Sequence, residues 1–244
     1  MFEVSRALPN GLEDLQTMFS ALRRVQTFNE KSSMQVLLDL AKKCLPKKAK
    51  QRLKRRLEEY DINYYNTNRV VLYKECKKFL RGLNPEDKTA LEISGGDNVF
   101  WQSIGFKSYR TTQYPEFDIC EGGLNEQFDI IIADQVFEHL LWPYRAARNA
   151  YAMLKPGGHL IIATPFLVRR HDVPTDCTRW TDVGMKYFLA EAGFSLERVQ
   201  TGAWGNKACV KANLTAWTNP SPFTSFKNEP NFPVMVWAFA QREE

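Results

Sequence analysis

From residue 90 onward the sequence predicts an α/β protein with a doubly wound, mostly parallel sheet. Three observations carry that prediction. Short β-branched runs alternate with longer amphipathic stretches, and the joins between them are brief and polar. The run FDIIIAD, 128–134, is apolar almost throughout, which suits a parallel strand covered on both faces. The amphipathic stretches end at glycine or at a Pro-Gly turn, where a helix cannot continue.

Taken in order, residues 1–62 are charged, poor in glycine and helix-like, and are expected to form an N-terminal helical extension. The segment 63–90 continues as a helix with Val70, Val71, Leu72, Phe79 and Leu80 inward, ending near Gly82 and NPED. TALEIS is the first strand and KSYRTTQY a shorter second one. FDIIIAD follows, then the helix WPYRAARNAYAML with Ala146, Ala150 and Leu154 on one stripe, stopped by KPGG. HLIIATP is the next strand, and TDVGMKYFLAEAG is a helix closed by Gly193. FSLERVQTGAW and FPVMVWAFAQRE are two late strands joined by a long polar loop. Residues 63–244 thus read as one domain behind the extension.

Composition bounds the function. The 244 residues are 44% apolar and 25% charged, enough to bury a substantial core. No run approaches the roughly eighteen apolar residues of a spanning helix. The start, MFEVSRALPNGLEDL, lacks the charged-then-apolar pattern of a leader. Cys44, Cys76, Cys120, Cys177 and Cys209 are scattered without a CxxC pair, so reduced thiols and a cytoplasmic location are expected, not a disulfide frame or a zinc site. Net charge is +5, but residues 42–56, KKCLPKKAKQRLKRR, hold nine Lys or Arg and no acid. That run suits a solvated helix face, an RNA contact, an anionic membrane surface or an anionic group on a substrate.

ALEISGGDNV, 90–99, joins the end of a buried strand to a glycine turn, with Glu92 just before it. In doubly wound sheets ligands bind at the carboxyl ends of the strands. The ordered pieces LEISGGDN, FDICEGGLNEQFDIIIADQVFEHL and MLKPGGHLIIATP together resemble a class I S-adenosylmethionine-dependent methyltransferase of the type 11-like group, over roughly 65–200. The resemblance implies a Rossmann-like, seven-stranded sheet with helices on both faces. It implies S-adenosylmethionine as methyl donor and S-adenosylhomocysteine as product.

Site residues follow from that resemblance. Glu92 takes the place of the acid that holds the cofactor's amino group. Ser94, Gly96 and Asn98 stand at the three glycine positions, with Gly95 beside them. Gln113, with Tyr114 next to it, falls where an acid clasps the ribose; Glu116 is the second choice. Asp118 and Ile119 match the adenine site, and the helix and third strand that usually precede that site look cut down. Asp134 and Gln135 flank the methionine moiety. Glu138 and His139 follow on the next turn, where His139 could be a base or a metal ligand with Glu138, or simply shape the cofactor site.

TPFLVRRHDVPTDCTRWT, 164–181, hangs over the carboxyl-end crevice. His171 has a reference pKa near neutrality and is the candidate base, with Asp176 to orient it. Arg179 is a candidate grip on a substrate phosphate or carboxylate, and Trp180 a substrate contact. Alternatively Asp176 and Arg179 pair with each other and Thr181 caps the next helix. Tyr64, Tyr65, Asn66 and Arg69 are candidates for a lid, and Trp204, Asn206 and Lys207 for the acceptor wall. Glu138, His139, His171 and Asp176 could hold a metal, but no spacing demands one and none is assigned. The expected activity is O-methylation of a hydroxyl on a small-molecule or sugar-like acceptor. The alternatives are an RNA methyltransferase using the basic run, or a non-catalytic partner subunit with a degenerate loop.

Overall fold

The computed structural model describes residues 66–96, 99–172, 174–217 and 224–244. The chain divides between Arg55 and Arg56, and every described residue belongs to the second unit. The helical extension, the basic run 42–56, Tyr64, Tyr65 and Asn98 lie outside the described residues.

Helix α1, Thr67–Arg81, starts where the Asn66 side chain accepts a hydrogen bond from the Arg69 backbone N–H, and Gly82 closes it. It buries Val70, Tyr73, Cys76 and Leu80, a three-and-four spacing that makes one face. Strand β1 is Thr89–Glu92, followed by the single turn α2, Val99–Gln102, and by β2, Ser108–Thr111. Strand β3 is Phe128–Asp134 and helix α3 is Pro143–Ala152. Strand β4, Leu154–Pro165, leads through a long loop to α4, Asp182–Glu191. Strand β5, Val199–Trp204, helix α5, Lys207–Asn213, and β6, Met235–Gln241, complete the described chain.

The sheet has six strands among the described residues, in the order β2-β1-β3-β4-β6-β5, and not the expected seven. Only β6 runs against its neighbours. Between β2 and β3 the chain carries Pro115 and the pair Gly122–Gly123, and exposes Gln113 through Glu116. That stretch has no apolar run long enough to join a buried sheet, although Ile119 and Cys120 sink into the core.

Two boundaries also differ from expectation. KPGG lies inside β4 instead of only ending α3. A Cβ on Gly158 would stand 2.9 Å from the Lys155 carbonyl oxygen and 3.1 Å from two carbonyls of β3, so the strands meet there only through glycine. The expected strand from Phe194 begins instead as a single turn, Leu196–Arg198, before β5.

Alternate residues of the central strands feed two cores. Leu91, Ile131, Leu160 and Ile162 pack with Ala146, Ala150, Phe188 and Leu189 of α3 and α4. Ala90, Ile130, Ile132 and Ile161 pack with Val70, Tyr73, Cys76 and Leu80 of α1. Burial on both faces explains the unbroken apolar runs. Parallel register sets Glu92 beside Ile132 and Asp134 beside Ala163, so β1, β3 and β4 end along one edge.

Candidate active site

At the end of β1, Glu92 is 3% exposed, and the Tyr109 hydroxyl of β2 donates to its carboxylate. Burial pushes the Glu92 carboxyl up to about 7, the Tyr109 bond pulling the other way. Ser94 adopts left-handed backbone, φ 50°, at a position where glycine would do so without cost. A Cβ on Gly95 would lie 2.6 Å from Glu92 Oε2, whereas one on Gly96 would meet nothing within 4 Å. This corner offers a buried acid beneath a backbone that only glycine permits so close.

The ribose position departs from the expected chemistry. Gln113 is exposed and its amide donates to the Gly95 carbonyl, tying the two loops together. Tyr114 is 64% exposed. Glu116 is also exposed. At the adenine position Ile119 is buried and its carbonyl accepts from the Asn149 amide of α3 at 2.7 Å. The Asp118 carboxylate accepts from the Cys120 N–H at 2.8 Å, which fixes the turn. The described residues keep a buried acid beside the glycine loop and an ordered turn at Asp118 and Ile119, the features expected at the amino-acid and adenine ends of the cofactor. Gln113, at the position expected to meet the ribose, carries no charge, and the acid Glu116 follows three residues later.

Asp134, at the end of β3, accepts from the Tyr73 hydroxyl at 2.6 Å, the Trp101 indole at 3.1 Å and Arg69 at 3.5 Å. It anchors α1 and α2 to the sheet edge. Arg69, expected among the substrate contacts, is thus engaged on Asp134 and Tyr73. Gln135 is left-handed at φ 61°, and its amide points to the Met235 sulfur at 3.2 Å.

The next turn, Phe137–His139, sends Glu138 inward and His139 outward. The loop after β4 is fastened to this turn. Cys177 N–H donates to the Glu138 carbonyl at 2.7 Å, and the Thr175 hydroxyl donates to the His139 carbonyl at 2.7 Å. His171 is thereby brought against Glu138 and His139, although the residues are far apart in sequence. His171 Nε2 stands 3.8 Å from Glu138 Oε1, and His139 Nε2 stands 3.7 Å from the same oxygen. The two imidazoles meet edge to face, centroids 4.8 Å apart. The Glu138 side chain is 0% exposed, and neither oxygen has a hydrogen-bond partner among the described residues. Burial pushes its carboxyl up to about 8, and burial followed by the neighbouring His139 and Arg179 lowers the His171 pKa.

Asp176 does not reach the His171 ring. It accepts from the His171 backbone N–H at 2.9 Å and holds Arg179 through both guanidinium nitrogens, the second contact at 2.6 Å. Asp176 and Arg179 therefore brace the loop, and Arg179 is no free grip for a substrate. Thr181 caps α4 through the Gly184 N–H. Trp180 is buried against Phe188. Trp204 is 2% exposed with its indole donating to the Phe226 carbonyl, so it is a core residue and walls no open site. Asn206 caps α5, and Lys207 lies over the Phe232 ring.

Sequence reasoning missed Trp217, whose ring lies 5.4 Å from His171 with the Arg169 guanidinium 4.5 Å above it. Nothing local marks it, because it arrives on the loop after α5. Tyr109 was legible in principle, as the residue beside Ala90 on the strand next to Glu92.

The sequence profile of a family described as "Methyltransferase domain" matches residues 53–195, more than half of the chain. The chain belongs to that methyltransferase family. The match agrees with the methyltransferase resemblance of the ordered motifs. Solved methyltransferase structures are similar to the chain at low identity. An S-adenosylmethionine-dependent methyltransferase from Thermotoga maritima is 15% identical, with 79% of this chain and 99% of that one covered and a TM-score of 0.46. The N-methyltransferase NodS from Bradyrhizobium japonicum, in complex with S-adenosyl-L-homocysteine, is 16% identical over 80% of this chain and 99% of its own, TM-score 0.43. A methyltransferase from Mesorhizobium loti is 14% identical over 68% and 96%, TM-score 0.45. The family assignment rests on the sequence match alone. No curated protein matches the chain. Among the described residues no helix is long and apolar enough to cross a membrane.

Proposed function

We propose that this methyltransferase carries a methyl group from S-adenosylmethionine to a hydroxyl of a small or sugar-like acceptor. The observation that supports the reading is the Glu138–His139–His171 cluster at the carboxyl edge of the sheet. When bound, S-adenosylmethionine supplies an electrophilic methyl group. Glu92 would hold its ammonium, Gly95 and Gly96 would admit backbone to its amino-acid end, and Asp118 and Ile119 would hold the adenine. Gln113 offers the ribose hydrogen-bonding capacity without charge.

A hydroxyl must lose its proton as it attacks, so the acceptor needs a proton-accepting group at the crevice. The His171 imidazole takes that proton in the metal-free protein, held in place by Asp176 on its backbone N–H. Trp217, 43% exposed and capped by Arg169, provides a flat face beside it for a sugar or other ring. The location is taken to be cytoplasmic, in keeping with the free thiols of Cys76, Cys120, Cys177 and Cys209.

His171→Ala tests the reading. Turnover of a hydroxyl acceptor is expected to fall by about 10²–10⁴ while calorimetric affinity for S-adenosylmethionine stays put. Turnover near wild type would remove His171 from the chemistry. Failure of the wild type to bind either S-adenosylmethionine or S-adenosylhomocysteine would favour a non-catalytic subunit.

A further inference from the structure

We propose that Glu138, His139 and His171 form a binding site for one divalent transition-metal cation. One ligand atom from each residue lies within 4.8 Å of the other two. The separations of 3.7 and 3.8 Å from Glu138 Oε1 to the two imidazole nitrogens are too long for hydrogen bonds. They suit two ligands of a single ion, because metal–N and metal–O bonds of about 2.0–2.2 Å leave the ligand atoms about 3–4 Å apart.

The partners of these groups point the same way. Both oxygens of Glu138 and Nε2 of His171 are buried without a hydrogen bond among the described residues. A buried carboxylate left unpaired is costly, and a coordinated cation removes that cost. The nearby guanidinium groups are committed elsewhere, Arg179 to Asp176 and Arg69 to Asp134. His139 Nδ1 contacts the Thr175 carbonyl, so that nitrogen carries the proton and Nε2 keeps its lone pair. A carbonyl behind the far ring nitrogen is the arrangement that orients a metal-bound histidine. The backbone bonds from Cys177 to Glu138 and from His171 to Asp176 hold all three ligands in place before any ion arrives.

Two imidazoles and one carboxylate favour zinc, iron(II), cobalt, nickel or manganese over calcium or magnesium. Three protein ligands leave coordination positions for an outside oxygen. Its catalytic use rests on the hydroxyl-acceptor reading, whereas binding of the cation does not. An acceptor hydroxyl bound there would give up its proton to solvent water more readily, since a bound cation lowers the pKa of a coordinated O–H. The His171 lone pair is then on the metal, and acceptor activation passes from the imidazole to the cation.

The test uses the full chain, stripped with a chelator, dialysed, and titrated calorimetrically with Zn²⁺, Mn²⁺ and Co²⁺; bound Co²⁺ is also read by its visible absorption. Wild type is expected to take one equivalent of at least one ion with micromolar or tighter affinity. Glu138→Gln, His139→Ala and His171→Ala should each weaken it by at least about 100-fold, while His159→Ala, remote from the cluster, should not. If a cluster variant fails to fold, wild type still decides, through stoichiometry and an absorption band that reports nitrogen ligands. No binding in wild type, or unchanged affinity in every folded cluster variant, overturns the site. Methyl transfer lost on chelation and restored by the metal supports both the site and its use. One-equivalent binding with turnover indifferent to chelation supports the site and leaves His171 as the base. An active enzyme that binds no cation overturns the site and keeps the methyl-transfer reading.

Discussion

Glu92 and Glu138 are two buried acids at the carboxyl edge of one sheet, and they are treated differently by their surroundings. Glu92 ends β1 and is met by the Tyr109 hydroxyl and by the glycine loop folded against it. Glu138 follows β3 and, among the described residues, faces two imidazole nitrogens beyond hydrogen-bond distance. Burial raises both carboxyls, to about 7 and about 8. A satisfied buried acid reads as part of a preformed pocket, whereas an unsatisfied one reads as waiting for a cation. Position along the sheet edge divides the labour in the same way. The β1 acid faces the glycine loop proposed to receive the cofactor, and the acid after β3 faces the loop proposed to receive the acceptor.

The largest effect should separate the two acids outright. Glu138→Gln is expected to weaken cation binding by about 100-fold with S-adenosylmethionine affinity retained. Glu92→Ala should instead lose cofactor affinity in the same calorimetric assay. The division of labour fails if the two variants exchange phenotypes.

Asp134 sharpens the comparison as a third buried acid, its Oδ2 met by three donors. Its loss strands Arg69, Tyr73 and the Trp101 indole together. Asp134→Ala should cost about 3–5 kcal/mol in urea unfolding. A cost near zero would mean that α1 is not anchored there.

Next is the pH response of Glu92. Its folded pKa of about 7 exceeds the ordinary 4.5, so the folded state holds the proton more tightly. Wild type therefore loses stability as pH rises from about 4.5 to about 7, by about 3 kcal/mol in all. Glu92→Gln should lack that component, visible as a gap between the two urea midpoints that opens across this window. Parallel midpoints would show Glu92 titrating normally.

The smallest effect concerns the bond that distinguishes Glu92. Tyr109→Phe should cost about 1–2 kcal/mol of stability above pH 7 and move the Glu92 titration higher, since the hydroxyl stabilises the carboxylate. A titration moving lower, followed by NMR of the side chain, would reverse the role given to Tyr109.

Much of this was legible in the chain. FDIIIAD appeared as β3 with its expected bounds, and the helices at 143–152 and 182–191 lay within the expected stretches. These depend on apolar periodicity and local stop signals, which are properties of contiguous residues. The six-strand count was not legible. Nor was the length of β4, because a Pro-Gly-Gly stretch reads as a stop until the register with β3 shows carbonyls crowding Gly158.

The sequence by itself determined the family, the acid and glycines after β1, and the presence of two histidines in stretches that follow β3 and β4. It also carried both readings of Asp176 and Arg179, as an orienting pair and as a brace. Only the tertiary structure chose between them, by turning Asp176 toward a backbone N–H and its neighbouring guanidinium. Only the tertiary structure sent Trp204 into the core, brought Trp217 to His171, and left Glu138 buried between two imidazoles. Local patterning decides which residues turn inward. Which inward groups meet, and which remain unsatisfied, depends on how distant loops are fastened together, and no single stretch of sequence contains that information.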